Sequence, residues 1–306
     1  MPINTLTMAQ NFQTVLDQQM LVGATSGFME VNAGQVKYDG GDTVKIPNLT
    51  VQGLANYDRE EGYNRGAVSL KYDDMKLTQD RGRKFLLDAM DVNESNFLAN
   101  ATNVMSEFQR TQVIPEVDAY RFSKVAAYAT KENRKTDGFT PDETNIIKQL
   151  DKEILEIEDV IGDTGDLVIV MNTRVQSILN STDQFKRYID VADFAHGAVN
   201  TRVRTYNGIP ILNVPSARMK SAYVFNDGKT GGQTDGGFAA DAGAKSINWI
   251  IMSRRAPIAV SKTDTVRIFD PSQYQDANAW SIDYRKFHDI WVPKNRLASV
   301  WANFSA

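Results

Sequence analysis

The segment Met75–Glu94 has the sequence MKLTQDRGRKFLLDAMDVNE, in which a strand-like apolar pattern carries an unusual cluster of charges. The charges lie at Asp80, Arg81, Arg83 and Lys84, and no sequence near them resembles a substrate site. On an extended segment, such a cluster can hold a phosphate, steer an acidic partner or pair with acids on another chain. The rest of the sequence has to decide between these roles.

The charge cluster ends a longer segment that starts near Val36 and has the pattern of two strands. Val44 and Ile46 alternate with polar residues, which is the period of a half-exposed strand, and the same alternation occurs over residues 68–72. We therefore predict a long two-stranded hairpin with its tip near residues 58–65. An isolated hairpin of this length is marginal in water, so we expect it to lean on another surface.

Composition excludes several classes of protein. The 306 residues include no cysteine, which excludes disulfides, thiolate nucleophiles and cysteine-ligated metals. The formal net charge is -4 and no basic stripe occurs, which argues against a dedicated nucleic-acid-binding protein. The sequence contains neither a run of about 18 apolar residues nor a signal peptide. We expect a soluble chain that is made in a cytoplasm and does not enter a membrane.

The remaining periodic segments indicate an α+β fold. Helices are predicted from Met8 to Met20, from Asp91 to Phe108, after Pro115 with a break or kink there, from a Thr140–Pro141 start to Gly162, and after the cap residue Asn172. Strands are predicted at residues 167–171, on both sides of the Asn207–Gly208 turn, at residues 222–225, and in several segments between residue 246 and residue 304. The glycine-rich residues 227–244 are predicted to form a surface loop.

The sequence contains no recognisable catalytic motif. A phosphate-binding loop, a nucleophile elbow and a zinc-protease helix are all absent. The two histidines, His196 and His288, lie outside any motif, so we expect them to be structural or exposed. The acidic pairs at residues 60–61 and 73–74 have no histidine partner and are expected to be solvated. We therefore expect no enzymatic activity, cofactor or metal site, although an enzyme with an unrecognised site remains an alternative.

The hairpin separates opposite charges along its length. One group lies at the tip and the other near the base: Asp58, Arg59, Glu60 and Glu61 at the tip, and Asp80, Arg81, Arg83 and Lys84 near the base. A single exposed ion pair contributes about 0–1 kcal/mol, so these charges matter little within one monomer. Repeated between identical chains, they could set the register of assembly, because mispairing brings like charges together. The simpler interpretation is a solvated hairpin.

Several short sequences together resemble the major capsid proteins of tailed bacteriophages of Gram-positive hosts, which have the HK-97-type fold. The resemblance covers most of the chain. It rests on Asn4-Thr5-Leu6, Val36-Lys37-Tyr38, Lys45-Ile46-Pro47, Asp80-Arg81-Gly82, Val113-Ile114-Pro115-Glu116 and Asp118-Ala119-Tyr120.

The resemblance implies a division of the chain into the parts of that fold. Residues 1–34 would be the N-terminal arm, residues 35–90 the extended E-loop and residues 91–138 the P-domain with its long spine helix. Residues 139–250 would form the A-domain, and the strands of residues 251–306 would return to the P-domain. Arg81, Arg83 and Lys84 would then pair with acids on an adjacent subunit and hold the E-loop across it.

The resemblance also implies partners. The chain would form pentamers and hexamers in an icosahedral shell that is assembled in a bacterial cytoplasm and becomes the capsid of the virion. The shell would enclose double-stranded DNA without sequence-specific binding, and a separate scaffolding protein and a portal would take part. An encapsulin-like shell, which has the same subunit architecture but holds cargo enzymes, is the alternative within this fold.

Overall fold

The structure is a computed structural model that describes residues 23–38, 41–57, 59–60, 62–88, 90, 104–162, 166–182, 190–196, 199–274 and 276–306. The helix predicted from Met8 to Met20 lies outside the described residues, as do residues 91–103 of the next predicted helix. Residues 104–108 are helical, as the sequence predicts.

The described residues form strands in four sheets and three α-helices. The strands are β1 (Lys37–Tyr38), β2 (Thr43–Val51), β3 (Val68–Lys76), β4 (Gln79–Asp88), β5 (Lys135–Thr136), β6 (Leu167–Asn172), β7 (Asp190–His196), β8 (Val199–Tyr206), β9 (Ile209–Val214), β10 (Tyr223–Phe225), β11 (Phe238–Ala240), β12 (Ile247–Ser253), β13 (Ile258–Phe269), β14 (Ala279–Trp291) and β15 (Val300–Phe304). The helices are α1 (Ile114–Lys131), α2 (Ile146–Ile161) and α3 (Thr173–Ser181). The mixed α+β composition is the one expected from the sequence.

The largest sheet has seven strands in the order β5-β15-β12-β6-β9-β8-β7 and is covered on both faces. In β6, Val168 and Val170 belong to the core cluster that includes α1, whereas Leu167, Ile169 and Met171 pack with α2 and α3. This alternation follows from the period of two in a strand. The sheet is therefore the middle layer of a helix–sheet–helix arrangement.

The strand β4 does not belong to the hairpin, in contrast to the prediction. The hairpin consists of β2 and β3 and ends at Lys76, whereas β4 pairs antiparallel with β14 from Asp88 opposite Ala279 to Gln79 opposite His288. Together β13, β14 and β4 form a second sheet, called here the long sheet. The physical reason is that Phe85 and Leu87 of β4 pack on the apolar cluster around α1, which a free hairpin could not offer them.

The break predicted at Pro115 is a wider helical turn in the structure. Residues 104–108 lead into a π-helical turn, Gln109–Val113, and α1 follows with Pro115 in its first turn. Proline has no amide hydrogen and its ring crowds the preceding turn, which favours such an irregularity. The chain nevertheless continues as one helical rod from residue 104 to Lys131.

The start of α2 differs from the prediction, whereas its end agrees with it. Asp142, rather than Thr140, accepts hydrogen bonds from the backbone N–H groups of Thr144 and Asn145, at 2.7 and 2.9 Å. The regular helix therefore begins only at Ile146. Gly162 has φ +72° and ends the helix in the left-handed conformation that glycine tolerates.

The C-terminal strands divide between two sheets. β13 and β14 form the long sheet with β4, and β14 contacts α1. β15, however, joins the seven-stranded sheet between β5 and β12. Its Val300, Ala302 and Phe304 are buried on the α1 side of that sheet, and this burial explains why β15 lies there.

Polar side chains of α1 and α2 form hydrogen bonds and an ion pair with neighbouring elements. The carboxylate of Glu153 on α2 accepts four hydrogen bonds: from Thr136 (2.7 Å), Gln149 (2.8 Å), Trp249 (2.6 Å) and Asn303 (2.6 Å). On α1, the buried Arg121 pairs with Glu30, which lies in the 3-10 segment Gly27–Gln35. Because the Glu153 carboxylate and the Arg121–Glu30 pair are bound within the chain, they contribute to the fold.

Candidate intersubunit surfaces

The hairpin is anchored at its base by one of its two faces. Val44 and Ile46 are buried, with exposed fractions of 0% and 3%. They pack in a cluster with Ile258, Val260 and Trp291 of the long sheet. Beyond Pro47 the strands leave this cluster, and the side chains become partly or fully exposed. The outer half of the hairpin therefore has almost no support from its own chain.

The exposed outer half carries an apolar stripe on the opposite face. Leu49 pairs with Leu70 and Val51 pairs with Val68 across the two strands, and residues paired directly opposite each other share a face. These four side chains are 55–67% exposed. The other face carries the polar pairs Asn48–Lys71 and Thr50–Ser69. The outer hairpin is thus amphipathic, with its apolar face uncovered in the monomer.

A hydrogen-bond network holds the junction between the hairpin and the long sheet, in which Tyr120 and Asp289 are buried and Thr78 is exposed. The carboxylate of Asp289 accepts bonds from the N–H and the hydroxyl of Thr78, at 2.9 and 2.7 Å, and from the hydroxyl of Tyr120, at 2.7 Å. Leu77 is 3% exposed, and its N–H donates to the carbonyl of Asp42. Burial raises the pKa of Tyr120, so its hydroxyl remains protonated and donates to Asp289. The direction of the hairpin is consequently fixed at its base.

Arg81 is occupied within its own chain. Its guanidinium makes a bidentate pair with Glu116 of α1, at 2.7 and 3.2 Å. It also donates to the carbonyl oxygens of Asn226 and Gly237, at 2.6 and 3.1 Å, and lies over the ring of Phe225. Asn226 and Gly237 are the two ends of the loop between β10 and β11, so Arg81 clamps that loop onto β4 and α1. The glycine-rich residues 227–244 are therefore not all loop, because residues 238–240 form β11.

Two other members of the charge cluster also have partners in the chain. Asp80 accepts two hydrogen bonds from Arg285 on β14, at 2.8 and 2.6 Å, and these bonds lower the pKa of Asp80. Lys84 donates to the hydroxyl of Tyr274 at 3.2 Å, and this bond raises the pKa of Lys84. Both pairs are exposed, so each contributes little to stability.

Arg83 differs from its neighbours. It is exposed, and no hydrogen bond or ion pair joins it to another described residue. Its guanidinium lies close to the backbone of Gly228 and Gly236, where an added Cβ atom would come within 3.6 and 3.4 Å of it. Among the basic residues of the cluster, Arg83 is therefore the one that the fold leaves available to a partner.

The intersubunit role expected for Arg81 stays a prediction, although the donors of this side chain are already used within its own chain. Its donors are used by Glu116 and by two carbonyl groups of the same chain, so pairing with an acid on another subunit would require these contacts to break. Nothing local in the sequence identifies those partners, because they lie 35 to 156 positions away. Intersubunit roles for Asp80, Arg83 and Lys84 remain predictions.

The described residues of the hairpin tip are almost all exposed. Residues 52–67 connect β2 to β3, and Arg59 and Glu60 lie in a turn at the end. Asp58 and Glu61, the other charged residues assigned to the tip, lie outside the described residues. The rings of Tyr57 and Tyr63 meet edge to face with centroids 4.9 Å apart, although they are 60% and 89% exposed. No motif in the sequence singles out this aromatic pair.

A cleft of about 590 Å³ opens beside the Arg81 clamp. Phe85, Phe108 and Tyr284 form its apolar wall, with ring centroids 4.9 and 5.9 Å apart in edge-to-face contacts. Arg83 and the glycine-rich loop contribute polar groups. This cleft was not foreseen from the sequence, because its wall combines residues from β4, the helical rod and β14.

His288 lines the same cleft but is buried, with 3% of its side chain exposed. Burial, together with the nearby charges of Lys286, Arg121 and Arg81, lowers its pKa well below the ordinary value. The ring is therefore neutral at physiological pH. Its edge-to-face contact with Tyr120 fits the expected structural role.

Two kinds of site are absent from the described residues. No group of three or more histidine, aspartate or glutamate side chains within them could hold a metal ion. None of the helices in this part of the chain is long and apolar enough to cross a membrane.

Comparisons with known proteins show what this architecture is similar to. No protein-family model matches the sequence, and no curated protein matches it significantly. Among solved structures, the asymmetric unit of the bacteriophage PhiM1 mature capsid contains a chain that matches with a TM-score of 0.57 and 14% identity, over 88% of this chain and 83% of that one. The chain has the fold of phage capsid subunits. A chain of the capsid of cyanophage P-SCSP1u matches with the same TM-score and 12% identity, over 88% of this chain and 85% of that one.

The fold is not confined to phage structures. A chain of the virus-like particle from Pyrococcus furiosus matches with a TM-score of 0.54 and 9% identity, over 97% of this chain and 99% of that one. At such low identity the likeness establishes the fold alone. The function has to be argued from the surfaces of this chain.

Proposed function

We propose that this chain is the major capsid protein of a tailed bacteriophage and that it assembles through its hairpin into an icosahedral shell. The observation that carries the proposal is the uncovered apolar stripe of the outer hairpin. Four apolar side chains more than half exposed on one face of a two-stranded ribbon are poorly placed in a monomer. Another copy of the chain, packed against this face, would cover them.

The HK-97-type architecture assigns a role to each part of the structure. The hairpin β2–β3 corresponds to the E-loop, which then ends at Lys76 rather than at residue 90. The helical rod of residues 104–131 corresponds to the spine helix and, with the long sheet, to the P-domain. The seven-stranded sheet corresponds to the A-domain. The capsid folds among the matched structures support these assignments.

The assembled shell would consist of pentamers and hexamers around packaged double-stranded DNA. The formal net charge of -4 suits a container that holds DNA without gripping it, because each phosphate contact would oppose packaging and release. We propose a structural, non-enzymatic role in the virion, with assembly in the host cytoplasm. A separate scaffolding protein and a portal are the expected partners.

The test uses two single substitutions on opposite faces of the outer hairpin. Leu49→Asp places a charge in the apolar stripe, and Thr50→Asp places the same charge on the polar face one residue away. We expect closed particles from the wild-type chain and from T50D, with any scaffold encoded beside the gene, and free subunits from L49D. The measurement is electron microscopy together with sedimentation.

Circular dichroism should show that both variants remain folded, since surface substitutions typically change stability by less than about 0.5 kcal/mol. A wild-type chain that stays monomeric with and without scaffold would contradict the proposal. So would normal particles from L49D.

A second function is an encapsulin-like compartment that holds cargo enzymes. The observation that favours it is the match to the Pyrococcus furiosus virus-like particle, which covers nearly the whole of both chains. Particles purified from the natural source distinguish the two functions. Double-stranded DNA inside would support the phage capsid, whereas a stoichiometric enclosed enzyme would support the compartment.

A further inference from the structure

The cleft beside the Arg81 clamp combines an aromatic wall with two unpaired side chains of opposite charge. Phe85, Phe108 and Tyr284 form the wall. Arg83 and Asp235 also line the cleft and are exposed, and no hydrogen bond or ion pair joins either of them to another described residue. The volume of about 590 Å³ lies within the range of about 300–1,000 Å³ that is usual for small-molecule sites. An apolar wall with a few polar groups is the ordinary lining of such a site.

The register of the long sheet places Arg83 beside the aromatic wall. Arg83 and Phe85 lie on the same face of β4, because side chains alternate along a strand, and their Cα atoms are about 7 Å apart. Arg83 is also paired directly opposite Tyr284 on β14, and residues paired in this way share a face. A ligand whose ring packs on the wall therefore has the guanidinium within reach of a short acidic substituent.

The loop between β10 and β11 brings Asp235 to the same place. A Cβ atom added at Gly236, the next residue, would lie 3.4 Å from the Nη1 atom of Arg83. The loop is held there, because Arg81 donates to the carbonyl groups at its two ends and the side chain of Asn226 donates to the carbonyl of Gly236 at 2.8 Å. The fold thus holds a cation and an anion near each other without joining them.

The remaining charged groups of the cleft are occupied. Each is bound within the chain: Arg81 to Glu116, Asp80 to Arg285, Lys286 to Asp264, and Asp227 to the N–H groups of Lys229 and Thr230. Among the described lining residues, the charges left for a ligand are therefore those of Arg83 and Asp235. A ligand with one charge of each sign beside an aromatic ring complements this arrangement.

We propose that the cleft binds a free aromatic α-amino acid, with its ring on the wall of Phe85, Phe108 and Tyr284, its carboxylate on Arg83 and its ammonium group on Asp235. A guanidinium binds a carboxylate through two parallel hydrogen bonds, and aromatic rings favour offset and edge-to-face contacts. An aromatic residue inside a peptide does not carry both charges at its α-carbon, so the two charges together select the free amino acid. The site is built within one chain, so the inference goes beyond the proposed shell function and does not depend on it.

The test compares three ligands that differ in their charged groups. L-Phenylalanine has both groups, 3-phenylpropionate lacks the ammonium group, and 2-phenylethylamine lacks the carboxylate. Ligand-observed NMR titrations use the full chain as free subunits, taken from L49D if the wild type assembles. We expect a Kd of about 1 mM or below for L-phenylalanine and at least about threefold weaker binding of the other two. L-Alanine, which lacks the ring, should not bind at about 10 mM.

Two variants assign the charges to their residues. Arg83→Ala should weaken the binding of L-phenylalanine and 3-phenylpropionate at least about tenfold and leave 2-phenylethylamine unchanged. Asp235→Asn should weaken L-phenylalanine and 2-phenylethylamine about threefold and leave 3-phenylpropionate unchanged, since water screens an exposed ion pair. Lys84→Ala is the matched control, because Lys84 lies on the opposite face of β4 and outside the cleft. It should bind all three ligands as the wild type does.

Both variants should fold, because neither side chain bonds to another described residue, and circular dichroism checks this. No binding of L-phenylalanine to the wild type at about 10 mM would overturn the inference. So would an unchanged affinity of R83A or D235N for L-phenylalanine.

Discussion

The outer hairpin and the long sheet are both extended antiparallel ribbons, yet only the long sheet is covered by its own chain. The inner face of β4 and β14 packs on Met105, Val113, Ile114 and Val117 of the helical rod. The outer hairpin has no such cover, and its apolar stripe faces outward. The long sheet is therefore part of the core of this chain. The apolar stripe of the outer hairpin stays open to a partner.

The same contrast separates two neighbouring arginines. Arg81 is 25% exposed and has four hydrogen bonds within the chain, whereas Arg83, two residues along the strand, is exposed and has none with the described residues. Both residues looked alike in the sequence. Substitutions that affect folding without assembly, or assembly without folding, would sharpen the distinction.

The largest effect is expected inside the fold, at Glu30. Burial would raise the pKa of Glu30, but the charges of Arg121 and Lys286 and hydrogen bonds from Arg121 and Ser261 outweigh it and hold the pKa at about 2. A depressed pKa stabilises the folded state above the unfolded pKa of about 4.5, and this contribution is lost as the pH falls toward 2. Glu30→Gln should therefore lower the free energy of unfolding by about 3 kcal/mol at pH 7.

Urea titrations at several pH values check this prediction. The stability difference between wild type and E30Q should be constant from pH 7 to about 5 and should shrink between pH 4.5 and 2. A difference that stays the same over the whole range would show that Glu30 is not held in its charged form by Arg121.

A smaller effect is expected when the clamp on the glycine-rich loop is removed. Arg81→Ala should lower the free energy of unfolding by about 2 kcal/mol, because Glu116 and two carbonyl groups lose their charged donor. Arg83→Ala should change it by less than about 0.5 kcal/mol, because the fold makes no use of that guanidinium. Urea unfolding of the two variants side by side measures the difference, and equal losses would refute the assignment of different roles.

The smallest of these effects is expected at Gly82, where β4 approaches β14 closely. An added Cβ would come within 2.7 Å of the carbonyl oxygen of Tyr284, so Gly82→Ala should separate the strands and lower stability by about 1–2 kcal/mol. Gly66→Ala in the hairpin tip is the matched control, since nothing lies within 4 Å of the added atom. Thermal unfolding compares them, and equal melting temperatures would argue against the close approach.

Elements that depend on local chemistry were predictable from the sequence. The Asn207–Gly208 turn has φ +50° and +79° and joins β8 to β9, as that dipeptide predicts. Asn172 caps α3 by accepting from the N–H of Arg174 at 3.0 Å. The run of β-branched residues in β6 gave a fully buried strand. In each case the determining residues lie within a few positions of the structure they specify.

Features that depend on distant partners were not predictable. The alternation of apolar and polar residues in β3 continues into β4 with no turn signal between them. β3 nevertheless pairs with β2, whereas β4 pairs with β14, which lies about 200 positions away in the sequence. The glycine-rich segment was expected to be a surface loop, and nothing in its composition indicates that Arg81 would clamp its ends. For the same reason, the charges of the cluster were visible in the sequence but their partners were not.

The hydrogen-bonded junction at Thr78, Asp289 and Tyr120 makes the hairpin a lever with a fixed fulcrum. A tilt of about 10° at the junction would move a tip about 30 Å away by about 5 Å, which is the spacing between neighbouring strands. A loosely held base would therefore let the tip sample many positions on a neighbour. Because one hydrogen-bond network holds these three side chains, a small local rigidity at the base sets the position of the tip accurately.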